Sequence, residues 1–286
     1  MARSVGEGAT GILDNPVVGM SPWIAFSLLS GPGRFEFSVV VALLITLVVV
    51  IGGRLARRGT SWKILEVADL VFFSVMAVIG ALASAGTRHW LEFYAGEVSN
   101  IALTLIAFGS MAFRKPFTLQ YAREQVDRKY WSSPTFLRTN YLITGVWGLA
   151  FLVSALAGGY GDLVLRNSNN LWTGWIIQIA ALIAAVKFTA WYPGVATARA
   201  RAEAAGHPRP AIDPSALLAP VAALLVPAGI AVLVFAGDLW WLGVAMIILG
   251  VAATRRLRRA ADTPPVTPAG APPAAAHPPQ PPPGRE

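Results

Sequence analysis

An all-α transmembrane helix bundle is the fold class this chain predicts, and three observations predict it. Apolar residues make up 55% of the 286 positions and charged residues only 13%, far too little polar surface to cover a soluble core. Mean hydropathy is +0.56, so lipid must do that covering. Lys and Arg then alternate between the apolar runs. The counts are four (Arg54, Arg57, Arg58, Lys63), one (Arg88), six (Arg114, Lys115, Arg123, Arg128, Lys129, Arg138), one (Arg166), four (Lys187, Arg199, Arg201, Arg209), none around Asp238, and five in the tail. This is the positive-inside pattern of a multi-pass membrane protein, with the cation-rich loops and the C-terminus cytoplasmic and the N-terminus outside.

Seven spans are expected, at Phe37–Gly53, Val67–Gly86, Val98–Phe113, Tyr141–Gly158, Leu171–Tyr192, Ala216–Ala236 and Leu239–Ala253. The first is ~26 Å long as a helix, enough to cross when flanking residues help or the bilayer thins. Its β-branched residues would favour strand in water, but in lipid the backbone must close its hydrogen bonds within the segment, so helix wins. Gly237 and Asp238 alone separate the last two spans, which makes them a tight antiparallel hairpin. Trp62, Trp90, Trp131, Trp172, Trp191, Trp240 and Trp241 fall near the expected boundaries, as an interfacial belt requires.

Before the first span, Pro22–Ser30 is apolar but too short to cross alone, and Gly31, Pro32 and Gly33 interrupt it. A half-helix is the preferred reading; extension back to Pro16 would make an eighth crossing. The single early cation Arg3 and the Gly-rich stretch behind it do not read as a removable signal peptide. From Asp262 onward ten of 25 residues are Pro, so the end reads as a disordered tail with polyproline II character. The chain divides into an N-terminal segment 1–21, a membrane core 22–192, a basic loop 193–214, a hairpin 215–254 and a basic Pro-rich tail 255–286.

Ionisable groups inside spans are functional candidates by default, since each costs at least ~2.5 kcal/mol near the bilayer centre. Asp69 in the second span and Lys187 in the fifth stand at matching expected depth on the cytoplasmic side. A pair would neutralise both charges where the dielectric is low. Alternatively, Lys187 snorkels past Trp191 while Asp69 caps backbone near its helix start. Asn140 and Gln178 complete a candidate intramembrane polar site, with Asn100 and Glu97 at the mouths of spans; such groups commonly hydrogen-bond between helices.

The most distinctive loop is Arg114–Trp131, where Leu119, Ala122, Val126 and Tyr130 recur at helical spacing among five cations. It reads either as an interfacial helix or as an ordinary basic loop. Arg114, Lys115, Pro116, Arg123, Arg128 and Trp131 are its candidate contact residues.

Familiar catalytic chemistry is not written in the chain. His89, His207 and His277 lie far apart and Cys is absent, so no metal site or thiolate nucleophile is expected. The glycine pairs at 52–53 and 158–159 border spans and lack the Lys-Ser/Thr of a phosphate cradle. No Ser sits in a nucleophile elbow. No cofactor is expected. The net charge of +8 is spread over short loops, so the expected partner is anionic lipid headgroups and not nucleic acid.

Taken in order, Pro22 before its aromatic half-segment, the Arg114-Lys115-Pro116 junction after the third span, Trp131 and Pro134, and Asn140 opening the fourth resemble the intracellular septation protein A family. The resemblance covers about residues 20–192. It implies a bacterial inner-membrane protein of about five spans, linked to septum formation and envelope maintenance through contacts with other membrane proteins, with no established reaction. Residues 193–286 are an addition to that pattern, and neither sequence nor resemblance names an oligomeric state.

Overall fold

Long apolar segments that cannot bond their backbones to water close as helices, and the computed structural model, which describes residues 16–31, 33–56, 62–167, 170–210, 212, 215–235 and 239–262, shows them so. Among them every regular element is helical. The elements are α1 (Pro16–Gly19), α2 (Ser21–Leu29), α3 (Phe35–Ala56), α4 (Ile64–Leu82), α5 (Ala85–Ala112), α6 (Phe117–Gln125), α7 (Pro134–Gly159), α8 (Ile177–Ala204), α9 (Ser215–Ala223), α10 (Leu225–Phe235) and α11 (Trp240–Asp262). One π turn, Tyr160–Val164, extends α7, and a second, Trp172–Ile176, opens α8.

Six helices are long and apolar enough to cross a membrane: Phe35–Leu55, Ile64–Leu82, Ala85–Ala112, Pro134–Val164, Trp172–Ala204 and Trp240–Leu257. The protein is therefore a multi-pass α-helical membrane protein. Over the described residues 215–235 the expected seventh span, 216–236, is broken at Leu224 into two short helices, α9 and α10, which follow one another along α11. Pro227 supplies the reason: it lacks the N–H that would bond the carbonyl of Ala223, and its ring crowds that carbonyl. Gly229 and Gly243 let α10 and α11 touch backbone to backbone, since a Cβ on either would come within 2.6–2.7 Å of the other's carbonyl oxygen.

Three boundaries differ from expectation. Helix α5 starts at Ala85, so the polar stretch around Arg88 is helix and not loop; Ser84 caps it, its hydroxyl accepting from the Thr87 N–H at 3.3 Å. Helix α8 runs through Pro193 to Ala204, which turns the first half of the expected basic loop into helix. Helix α11 continues to Asp262, so residues 255–262 belong to it and not to a disordered tail. The Pro-rich end from 263, the N-terminal residues 1–15 and the expected turn at Gly237 and Asp238 lie outside the described residues.

The N-terminal half-helix is a wedge in the protein core. Trp23, Phe26, Phe35 and Phe73 are buried together, with Phe26 meeting Phe35 and Phe73 edge-on at 6.3 and 5.6 Å between centroids. Edge contacts of this kind add about 0.5–1.5 kcal/mol beyond area burial. At nine residues, α2 is ~14 Å long and crosses only half of a bilayer core. The main core continues through α3, α4, α5, α7 and α8, around Val39, Met76, Leu103, Ile143, Trp147, Phe151 and Ala185.

Candidate functional site

Two polar clusters, the first buried and the second partly buried, occupy opposite ends of the bundle. The first lies at the cation-rich end, where α6 tucks under α4 and α7. Phe117, Thr118, Leu119 and Tyr121 of α6 are buried, so this helix docks on protein and does not lie on the lipid surface as an interfacial helix would. It also stops at Gln125, which leaves Tyr130 half exposed beyond it.

Polar contacts fasten α6 to the start of α4. Lys63, 3% exposed along its side chain, places Nζ 2.8 Å from Glu124 Oε2 and 4.3 Å from the centroid of the Tyr121 ring. The Ile64 N–H donates to Gln120 Oε1 at 2.6 Å, and Gln120 Nε2 donates to the Trp62 carbonyl at 3.2 Å. One side chain thus satisfies an orphan N–H of the first helical turn. The Arg54 guanidinium stacks over Trp62 at 3.8 Å, bringing α3 into the same assembly. Gly19 fits beneath Tyr121 because a Cβ there would overlap the phenol oxygen.

Deeper in α4, Asp69 is 2% exposed and its Oδ1 accepts from Trp23 Nε1 at 2.5 Å. On the other flank, Thr118 Oγ1 donates to the Asn140 carbonyl at 3.1 Å and shares a 2.7 Å hydrogen bond with Thr144. Asn140 Nδ2 donates to the Phe136 carbonyl at 2.9 Å. Asn140 therefore belongs to a buried seam between α6 and α7.

The outward side of this end is basic and aromatic. Arg114 and Lys115 are exposed, and Pro116 is buried at the corner where α5 turns into α6. The corner closes with Arg114 in the left-handed region at φ 56°, the Lys115 N–H bonded to the Ser110 carbonyl at 2.8 Å and the Phe117 N–H bonded to Ser110 Oγ at 3.1 Å. Arg123 and Arg128 flank the Trp131 ring at 5.3 and 5.6 Å, and Trp131 Nε1 donates to the Val126 carbonyl at 2.9 Å.

The second cluster sits at the opposite end, between α5 and the two π turns. Asn100 Nδ2 donates to Gln178 Oε1 at 3.3 Å, and Gln178 Nε2 donates to the Thr173 carbonyl at 3.0 Å. The carboxyl groups of Glu97 and Asp162 are close neighbours. Gly158 leaves room for Glu97 and Gln178, as Gly161 does for Thr173. A cavity of about 400 Å³ lined by Tyr94, Asp162 and Arg166 opens beside them. π turns displace the regular ladder and re-aim side chains, and they recur at functional sites.

The four polar residues singled out from the sequence therefore do not form one site. Asp69 bonds Trp23, Asn140 closes the α6–α7 seam, Gln178 belongs to the far cluster, and Lys187 is exposed on α8. The expected pairing of Asp69 with Lys187 is absent among the described residues, as is a capping role for Asp69. The partners that sequence reasoning missed are Trp23, Gln120, Glu124, Thr173 and Asp162. Glu124 carried a readable signal, being an acid on the apolar side of a short helix within a basic segment; Asp162 carried none, since it reads as an ordinary loop acid.

No protein-family model, curated protein or solved structure matches the chain. What fold and polar clusters define together is a class: a multi-pass helical membrane protein with an ordered basic platform at one end and a polar, cavity-bearing cluster at the other.

Proposed function

We propose that the protein is a non-enzymatic factor of the bacterial cell envelope, tied to septation or envelope maintenance, that works by presenting a fixed basic platform to other membrane proteins at the cytoplasmic surface. The observation that carries this reading is the fastening of α6: Lys63–Glu124, Gln120 and the Ser110 corner hold in place a segment that a plain topology loop would leave free. Pre-ordering lowers the entropy lost on association. Arg128, Lys129 and Tyr130 face outward from it, and charged and aromatic side chains of this kind steer and anchor partners. The likeness to septation protein A in the same stretch supports the division-linked setting. Single-residue photo-crosslinkers at Arg128 and Tyr130 in growing cells test it. Adducts to envelope or division proteins, weakened when Lys63→Met releases the segment, are expected; adducts to lipid alone, with normal septa in a deletion strain, contradict it.

A second reading, solute or lipid handling, draws on the far cluster and not on Asp69 and Lys187. Its support is the convergence of Glu97, Asn100, Asp162 and Gln178 beside an open cavity. Uptake in proteoliposomes that falls with Glu97→Gln and Gln178→Ala would move the assignment to that class.

A further inference from the structure

The face of α7 turned toward the end of α5 carries a groove of about 610 Å³ that neither cluster uses. Its walls are apolar, with Met111 on one side and Leu142 and Leu149 along the other, and Ser132 and Arg138 stand at its cation-rich end. Gly145 forms the floor: a Cβ there would come 3.7 Å from the Met111 methyl, so a larger side chain fills the space. Leu142 and Leu149 are 44% and 55% exposed, so the groove opens sideways to whatever surrounds the bundle.

We infer that this groove is a binding site for one anionic phospholipid of the leaflet at the cation-rich end. From Pro134 to Leu149 the helix rises ~22 Å, which covers the ~15 Å half-thickness of the hydrocarbon core plus the level of the headgroup. An acyl chain lies along Leu142, Gly145 and Leu149 while Arg138 meets the phosphate. Arg138 is exposed and makes no ion pair among the described residues. Charge complementarity at the mouth with an apolar trough behind it selects an amphiphile bearing a negative head. A neutral helix laid in the same place would strip water from the guanidinium and return nothing to it. The site stands independently of any role in septation.

The test is native mass spectrometry of the full-length protein released from nanodiscs holding equal amounts of phosphatidylglycerol and phosphatidylcholine. Wild type retains one tightly held phosphatidylglycerol. Arg138→Gln lowers that retention relative to phosphatidylcholine about fivefold, the ratio expected for loss of one juxtamembrane cation. Gly145→Leu loses retained lipid of both kinds, and Arg88→Gln at the other end changes neither. The surface variant Arg138→Gln keeps the test decisive where Gly145→Leu fails to fold. Equal retention of the two lipids by wild type, or unchanged retention in Arg138→Gln, overturns the inference. Disulfide-linked dimers of Leu149→Cys would place a second copy of the chain in the groove and overturn it as well; the chain has no other Cys.

Discussion

The indole N–H of Trp23 donates to the carboxyl of Asp69 at 2.5 Å across 46 residues of sequence, joining the N-terminal wedge to the second membrane-spanning helix. Both residues are buried, so the bond satisfies an acid that would otherwise stand alone in the core. Trp23→Phe keeps most of the aromatic packing and orphans that carboxyl. We expect a loss of about 2–4 kcal/mol, read by unfolding in mixed micelles. Asp69→Asn, which keeps an acceptor, should cost less than Trp23→Phe; the reverse order would show that the indole is held by packing alone.

Lys63 and Glu124 hold the platform. Removing either partner leaves a charge buried beneath α6, an error that costs about 3–5 kcal/mol when the site is fully buried, and less here because Glu124 is 19% exposed. Lys63→Met and Glu124→Gln should each open the segment 117–131 to trypsin at Arg123 and Arg128. Cleavage rates equal to wild type would mean that Gln120 and the buried face of α6 suffice.

Lys187 is exposed on α8 and takes no part in the Trp23–Asp69 bond. Lys187→Met should change stability by less than ~0.5 kcal/mol, as a substitution away from buried networks does. Its effect should add to that of Asp69→Asn within ~0.5 kcal/mol in a double-mutant cycle. A larger coupling would restore a link between these two residues.

Arg114 turns the corner after α5 with φ 56°, a conformation glycine adopts without the Cβ penalty. Arg114→Gly should therefore raise stability by up to ~1 kcal/mol. A net loss in thermal unfolding would assign the arginine a contact that outweighs the strain.

Which parts of the fold were readable from the chain follows from what decided each part. The run 37–53 had to be helix because lipid offers its backbone nothing else, and α3 is that helix. The first turns of α5 were not readable, because Arg88, His89, Glu92 and Glu97 look like a loop until Ser84 is seen capping them. Pro misled in both directions: Pro193 sits inside α8 without ending it, whereas Pro227 marks the break between α9 and α10. At the sites, burial of Asp69 was legible from its place in an apolar run. Its partner was not, because the choice of Trp23 over Lys187 is made by how α2 wedges between α3 and α4, a tertiary event with no local signature. The far cluster was hidden for the same reason: Asn100 and Gln178 were visible one by one, but the π turns that bring Asp162 and Thr173 to them leave no pattern in hydropathy.

The central claim is that the apolar helices cross a bilayer with every basic connection on one side. Since the chain has no cysteine, single-Cys variants labelled by an impermeant maleimide in intact cells test it without background. Lys115→Cys, Arg201→Cys and Arg256→Cys should all react only after the membrane is opened, while Thr87→Cys and Arg166→Cys react in intact cells. Labelling of Lys115→Cys and Arg201→Cys from opposite faces would contradict the account.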